Sequence, residues 1–502
     1  MQYRLKEMLD HPDSFTPSYR KRYQTLIKHS SSLAPHQAYV MCNFLGLDSS
    51  RGYKELPKKA DLKFPQDDAP QFGNQVGWHF FVGCCKGKNG KEYGVELMFW
   101  QYSLLPLHIA RHFGLSDLEN QVLELHLGVS QAGDKHYRSI PIAIAGTTGL
   151  VGFDDDPFCY SMGKNTLKSL QNGSLFPLQL QSRGIDLGID PPVEIEVDLT
   201  LSSVKDYLLQ GHEGCWPCCG GVGTLYYSKP NLRVEPGKST LKLKGEEVTL
   251  TGGKFWYDHQ WGTGFMPQGN PRRAVLRAAN NLAKPSPGGW DWFMAQFDND
   301  TELTMAAMHS NDNLKFYEQT GPNPPGIMTA VIVGKFVDQD NKVLDVSGTM
   351  RVTEWHKSEQ SPDPTHYWVT HSWYPNKWEF NFQSDVPESI RNFVMIPIVQ
   401  TGQTGFFANG FQYSEGAVYL KDEVGRLIGR GFAESTSYAD STKNMLSLAG
   451  LLDIQGKDLL RQPSLPSRLK LWIWSFLYIN WPPNKAKLKQ LIADCVQAGL
   501  QI

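Results

Sequence analysis

Cysteine is scarce in this chain, eight in 502 residues. That is too thin a scatter for a disulfide scaffold, so most of the thiols are expected reduced and the fold must rest on packing. An excess of one charge is missing too. Lys and Arg number 49 against 51 Asp and Glu, and no long run of either sign occurs, which excludes the electrostatic footprint of a nucleic-acid partner. No apolar run reaches the roughly 20 residues of a membrane-spanning helix. The opening Met-Gln-Tyr-Arg-Leu-Lys-Glu-Met-Leu-Asp mixes both charges and has no apolar core of the secretory kind, so a cytoplasmic location is expected. A phosphate-cradling glycine loop is also lacking, because Gly87-Lys88-Asn89-Gly90-Lys91 reads as a hairpin turn. The Cys215-x-x-Cys218-Cys219 cluster has the spacing of a redox or zinc motif but no second ligand pair at finger-like distance. It reads as small buried residues in a Gly-rich loop. No metal and no cofactor are expected.

Aromatic residues are plentiful: Trp 14, Tyr 20 and Phe 25, beside Gly 46 and Pro 31. Many short strands, many turns and a ring-lined cavity fit that composition. Gly77-Trp-His-Phe-Phe-Val-Gly83 begins a strand, Asn89-Gly90 turns it, and Tyr93 to Phe99 returns. A second such unit opens at Gly289-Trp-Asp-Trp-Phe293, turns at Asp298-Asn-Asp300 and returns through Leu303, Met305 and Ala307. The openings lie 212 positions apart (Gly77 to Gly289), which suggests two copies of one β-domain. Further strands are expected over 121–130, 193–201, 223–228, 330–337, 346–355, 367–374, 378–382, 417–420 and 431–437. In the hairpin over 239–251, Leu241, Leu243, Val248 and Leu250 alternate with polar residues, as in an antiparallel sheet with one wet face.

The densest stretch is Lys254-Phe-Trp-Tyr-Asp-His-Gln-Trp-Gly-Thr-Gly264. If it is extended, Trp256, Asp258 and Gln260 share one face while Tyr257, His259 and Trp261 share the other. One acid is then framed by a ring and an amide.

The ends differ from the middle. Residues 1–70 read as a helical or irregular extension, 71–270 and 271–443 as the two β-domains, and 444–502 as a helical extension. The apolar run at 468–481 is about a third too short to span a bilayer; it either docks on the β-domains or makes a peripheral membrane contact.

Four stretches in order carry a resemblance: Tyr226-Tyr-Ser-Lys-Pro followed by Trp256-Tyr-Asp-His-Gln-Trp-Gly; Trp290-Asp-Trp-Phe; Ser414-Glu-Gly-Ala-Val; and Gly429-Arg-Gly-Phe-Ala-Glu-Ser-Thr-Ser-Tyr. With them the sequence resembles the AttH-like and carotenoid 1,2-hydratase (CrtC-type) family over about residues 75–440. The family's usual Glu-Trp-Trp-Tyr opening is here Gly77-Trp-His-Phe-Phe. The resemblance implies an all-β fold of two lipocalin-like antiparallel barrels in tandem. It also implies hydration or cyclisation of a hydrophobic unsaturated molecule, a terpenoid, carotenoid or polyketide, with Trp256 and Asp258 at the positions implicated in family hydratases.

The residues permit that chemistry. Protonating a carbon–carbon double bond needs a carboxylic acid still protonated near neutral pH, and desolvation among rings moves a carboxyl in that direction. Asp258 is the candidate acid, with His259 or Tyr257 as base. Trp256, Trp261, Gln260, Trp290 and Trp292 are the candidate substrate-binding residues, and the ring faces of Trp256, Trp290, Trp292 and Tyr257 suit a cation. Asp258 could instead accept hydrogen bonds from a Gly-rich turn or pair with Arg272 or Arg273; His259 could be structural, Trp290 and Trp292 core. Glu415 and Glu434 are second acids or serve barrel closure. Beside a hydratase or cyclase stand a pericyclase working by shape and a non-catalytic lipid or pigment carrier. The expected partner is a hydrophobic small molecule, with the oligomeric state open.

Overall fold

The computed structural model describes residues 52–438 apart from 113, 140–141, 187–188, 190, 217–222, 264–288, 309–321, 359–371, 384–385, 400–402, 407–411, 437 and 439–502 and 1–51 at the ends. The described chain is nearly all β, in two antiparallel sheets. Its one α-helix is short, Leu107–His112, and no described helix is long and apolar enough to cross a membrane.

The principal strands of the first sheet are β1 (Val76–Gly87), β2 (Glu92–Ser103), β3 (Gln121–Gln131), β4 (His136–Arg138), β5 (Leu178–Asp186), β6 (Val193–Ser203), β7 (Gly223–Val234) and β8 (Glu246–Thr263). They lie in the order β4-β3-β2-β1-β8-β7-β6-β5, and three short strands between Val151 and Ser169 continue past β5. The β1–β2 turn falls at the expected Asn89-Gly90, where Gly90 takes φ +80°, a region open to glycine at little cost. In the 240–250 hairpin Leu241, Leu243, Val248 and Leu250 are all buried, as the alternation predicts.

The second sheet comprises β9 (Trp290–Phe297), β10 (Glu302–Met308), β11 (Met328–Val337), β12 (Val343–Lys357), β13 (Trp373–Phe382), β14 (Asn392–Pro397), β15 (Gln412–Lys421) and β16 (Leu427–Thr436). Its path β14-β13-β12-β11-β10-β9-β16-β15 returns to β14, so eight strands close into a barrel. Closure removes the free edges. Among the described residues the first sheet has no such closing ladder. Side chains bridge β4 and β5 instead: Ile185 N donates to Ser139 Oγ (3.2 Å) and Arg138 N to Asp186 Oδ2 (3.0 Å). With only three residues in β4, and with Gly184 pressed on Ser139, the two strands meet without pairing.

Each sheet wraps its own apolar core. From Gly52 to Gln75 the chain is irregular with one 3₁₀ turn, Gln66–Asp68, as Pro57, Pro65 and Pro70 require. Leu56 and Ala60 from this segment are buried in the first core, and Phe64 and Phe72 pack against it. The rest of the expected N-terminal extension, the helical C-terminal extension and the 468–481 run lie outside the described residues. Four strands between Val151 and Asp186 had no counterpart among the expectations: three are only five residues long, and Leu178–Asp186 carries no two consecutive apolar residues.

The sheets dock through bonds that desolvate polar groups in pairs. Lys205 Nζ pairs with Glu302 and donates to the carbonyls of Asp300 (2.8 Å) and Asp338 (2.7 Å). Gln296 Nε2 donates to the carbonyls of Pro230 (2.8 Å) and Phe255 (2.9 Å). At the other flank Arg138 and His126 of the first sheet meet the Tyr413 hydroxyl of the second, both at 2.6 Å.

Candidate active site

Between these two seams lies a cleft lined by both sheets. The first sheet contributes Trp78 and Phe80 from β1, Met98 and Trp100 from β2, Tyr226 from β7, and Asp258 and Gln260 from β8. The second contributes Trp290 and Trp292 from β9, four residues of β10, Val333 and Gly334 from β11, and Glu415 and Glu434 from β15 and β16. The two Gly-Trp openings therefore converge, Trp78 and Phe80 on one wall and Trp290 and Trp292 on the other. Trp78 stacks on Trp100 (centroids 4.4 Å apart, planes 3° apart), and Phe80 meets Trp292 edge to face at 5.8 Å.

Strand alternation decides which members of the central stretch reach the cleft. Asp258 and Gln260 line it, and Trp256 stands on the same face of β8. Asp258 is 3% exposed. Its Oδ1 accepts from Trp256 Nε1 (2.6 Å) and from the Ser228 hydroxyl, and its Oδ2 accepts from the Tyr226 hydroxyl (2.5 Å). Tyr226 in turn accepts from Trp292 Nε1 (3.1 Å). Burial pushes the Asp258 carboxyl up to about 7, while these three donors pull the other way. Three uncharged donors do not repay the desolvation of an anion with no cation bonded to it. Arg272 and Arg273 lie outside the described residues.

Tyr257, His259 and Trp261 project from the opposite face of β8 into the first core, away from Asp258. Both ring nitrogens of His259 face backbone carbonyls, Nδ1 that of Trp78 (2.9 Å) and Nε2 that of Ala69 (3.2 Å). Burial lowers its pKa to about 4. His79 stacks on it at 4.0 Å, and His79 Nδ1 lies 2.8 Å from the Tyr257 hydroxyl. On the same side, Asp68 accepts from Tyr227 (2.5 Å) and Tyr207 (2.9 Å). These groups form a buried polar core behind the cleft wall, in which His79 Nε2 is left without a hydrogen-bond partner.

The second sheet brings its own acids. Glu434 accepts from Trp290 Nε1 (3.1 Å) and faces Glu415 directly across β15 and β16. Burial raises both carboxyls, and repulsion from Glu96 adds to both, with that of Glu434 adding further at Glu415. Ser228 and Tyr226 are the partners that sequence reasoning missed. Their signal was the i, i+2 spacing in Tyr226-Tyr-Ser, which puts both on one face of a strand, but nothing local shows that this strand pairs with β8. Among the described residues no group of three or more His, Cys, Asp or Glu is arranged to hold a metal ion. Cys215 is a buried free thiol, while Cys218 and Cys219 lie outside the described residues.

Fold and site together define a tandem two-sheet protein with an acid-bearing aromatic cleft between the sheets. The chain belongs to the AttH-like family, whose model matches residues 55–438. Among solved structures it is similar to a putative AttH from Nitrosomonas europaea, with 16% identity, a TM-score of 0.53 and coverage of 77% of this chain and 99% of that one. It is also similar to kievitone hydratase from Nectria haematococca, with 12% identity, a TM-score of 0.46 and coverage of 78% of this chain and 98% of that one. At 16% identity the likeness to the Nitrosomonas protein is one of fold alone. No curated protein matches the chain in sequence.

Proposed function

We propose that this chain is a cofactor-independent enzyme that takes a hydrophobic unsaturated molecule, a terpenoid, carotenoid or polyketide, into the cleft and protonates it from Asp258. The observation that carries the reading is a carboxyl held near pKa 7 on the wall of an indole-lined cleft. A carrier gains nothing from such a group, since an unpaired buried acid costs stability. An acid poised near the operating pH is what proton transfer to carbon requires.

The proton leaves Asp258 for one alkene carbon and leaves a cation at the other. The ring faces of Trp78, Trp100, Trp290 and Trp292 stabilise that cation, and the apolar wall of Phe80 and Met98 limits water. In hydration a water oxygen bonds the cationic carbon and gives up a proton, which restores the Asp258 acid. In cyclisation a second double bond of the same molecule attacks instead, and the proton is lost from a neighbouring carbon. Tyr226, Ser228 and Trp256 hold the Asp258 anion between the two steps.

The test is an incubation of wild type and Asp258→Asn with polyene and lipid extracts in deuterated water, read by mass spectrometry. Deuterium entering a product with wild type alone supports the reading. A product without deuterium assigns a pericyclic reaction, and extract molecules retained unchanged by both proteins leave a carrier.

A further inference from the structure

Asp258 and Glu434 occupy matching positions of the two sheets. Asp258 faces Phe80 across β1 and β8, and Glu434 faces Trp292 across β9 and β16. Phe80 and Trp292 are separated by the same 212 positions as the two openings. On its other side each acid has one further cross-strand neighbour. For Asp258 it is Ser228, whose hydroxyl donates to it; for Glu434 it is Glu415, a second acid. One end of the cleft is thus furnished with donors, and the other with carboxyls.

At the Glu415 end a polar atom is left over. Glu415 is 1% exposed and lines the cleft, yet its Oε1 has no hydrogen-bond partner. Its carboxyl also hydrogen-bonds with Glu96. The cation nearby is taken up elsewhere: Arg138 donates to both oxygens of Glu96 (3.1 and 2.8 Å), to the Tyr413 hydroxyl and, at 3.2 Å, to the backbone oxygen of Glu415. The charges of Asp258 and Asp291 also disfavour ionisation of Glu434. Burial and repulsion keep protons on the pair, so it can donate a hydrogen bond as well as accept one.

A buried polar atom without a partner destabilises the protein that carries it. A plain hydrocarbon in the cleft would seal Glu415 Oε1 from water and leave that cost standing. We propose that the Glu415–Glu434 end is a subsite for a carbonyl or hydroxyl oxygen, so that the substrate is an oxygenated unsaturated molecule and not a plain hydrocarbon. The inference rests on the cleft being the substrate site. It then orients the substrate, with its oxygen at the second sheet and its double bond at Asp258.

Binding tests this without any reaction. Quenching of tryptophan fluorescence by trans-stilbene, 4-hydroxystilbene and 4-formylstilbene is compared in wild type, Glu434→Gln and the double variant Glu415→Leu/Glu434→Leu. Wild type is expected to bind at least one oxygenated probe about tenfold or more tighter than stilbene, a difference of about 1.4 kcal/mol. The hydroxyl and formyl arms tell which oxygen the subsite prefers. Glu434→Gln, which can still donate, is expected to keep the preference, and the double Leu variant to lose it while still binding stilbene. Equal binding of all three probes by wild type, or a preference that survives in the double Leu variant, overturns the subsite. If no probe quenches any of the three proteins, the cleft itself is not the binding site and the proposal falls with it. Failure of the Asp258 reading appears on a different readout, deuterium incorporation, so the two results are separable.

Discussion

The Tyr226 hydroxyl donates to Asp258 Oδ2 at 2.5 Å and accepts from Trp292 Nε1 at 3.1 Å, so one side chain of the first sheet ties the acid to the wall of the second. The position of the acid therefore depends on how the sheets dock, and its proton affinity depends on donors from two neighbouring strands. Both dependences lead to measurements.

Replacing Asp258 by Asn is expected to lower deuterium incorporation by about 100-fold or more, within the usual reach of a general acid. The same variant gives a stability signature independent of substrate. The folded carboxyl lies at about 7 against 3.8 for an exposed one, so the folded state binds the proton more tightly. Wild type therefore loses stability as pH rises from about 4 to about 7, by on the order of 4 kcal/mol relative to Asp258→Asn. Denaturant melts of both proteins at pH 4.5 and pH 8 check this, and parallel curves would show an unperturbed carboxyl.

His259 and Tyr257 separate what was legible in the sequence from what was not. The strand and its alternation could be read from Trp256 to Trp261, because period-two geometry is local. Which face met the second sheet could not, since both faces carry rings and polar groups and the choice is made by strands 30 and more residues away. The repeat of the Gly-Trp openings pointed to two copies of one β-domain, but not to their meeting across one cleft, which depends on how the sheets dock. Ser228 and the placement of Glu415 opposite Glu434 depend on register, which no single strand displays. His259→Gln is accordingly expected to leave deuterium incorporation within about threefold of wild type in the folded fraction. Its cost falls on stability, about 1–3 kcal/mol for a disturbed buried hydrogen-bond pair, read by thermal melts.

At Gly94 the two sheets pack tightly against each other. A Cβ there would stand 2.2 Å from Cβ of Ala417 on β15. Gly94→Ala is expected to destabilise by about 1–3 kcal/mol through overpacking. Adding Ala417→Gly, which removes the opposing methyl, is expected to recover part of that loss. A double variant no more stable than Gly94→Ala would show that the clash lies elsewhere.

Lys205 holds the opposite seam. Its ammonium and the Glu302 carboxylate are both buried, and burial carries Glu302 up to about 7 even with the lysine beside it. Lys205→Met strands that carboxyl and is expected to cost about 3–5 kcal/mol at pH 8. Below pH 6 Glu302 takes a proton and the penalty shrinks, so the gap between variant and wild type narrows on acidification. A gap independent of pH would assign the loss to packing of the lysine stem.

Tyr226→Phe probes the link with which the site began. The phenol donates to the Asp258 anion and so lowers its pKa against the larger upward push of burial. Without that donor the folded pKa rises further above 7. A proton donor works while it is protonated, so activity that falls off near pH 7 in wild type is expected to persist to higher pH in Tyr226→Phe, by about one pH unit for a hydrogen bond worth about 1.4 kcal/mol. The height of the profile is expected to drop as well, because the anion left after proton transfer is less well held and Trp292 Nε1 loses its acceptor. The pH dependence of deuterium incorporation in the two proteins measures both effects. Activity that instead rises with pH through this range, with the rise displaced to higher pH in Tyr226→Phe, would mean that Asp258 acts as the base and not as the acid.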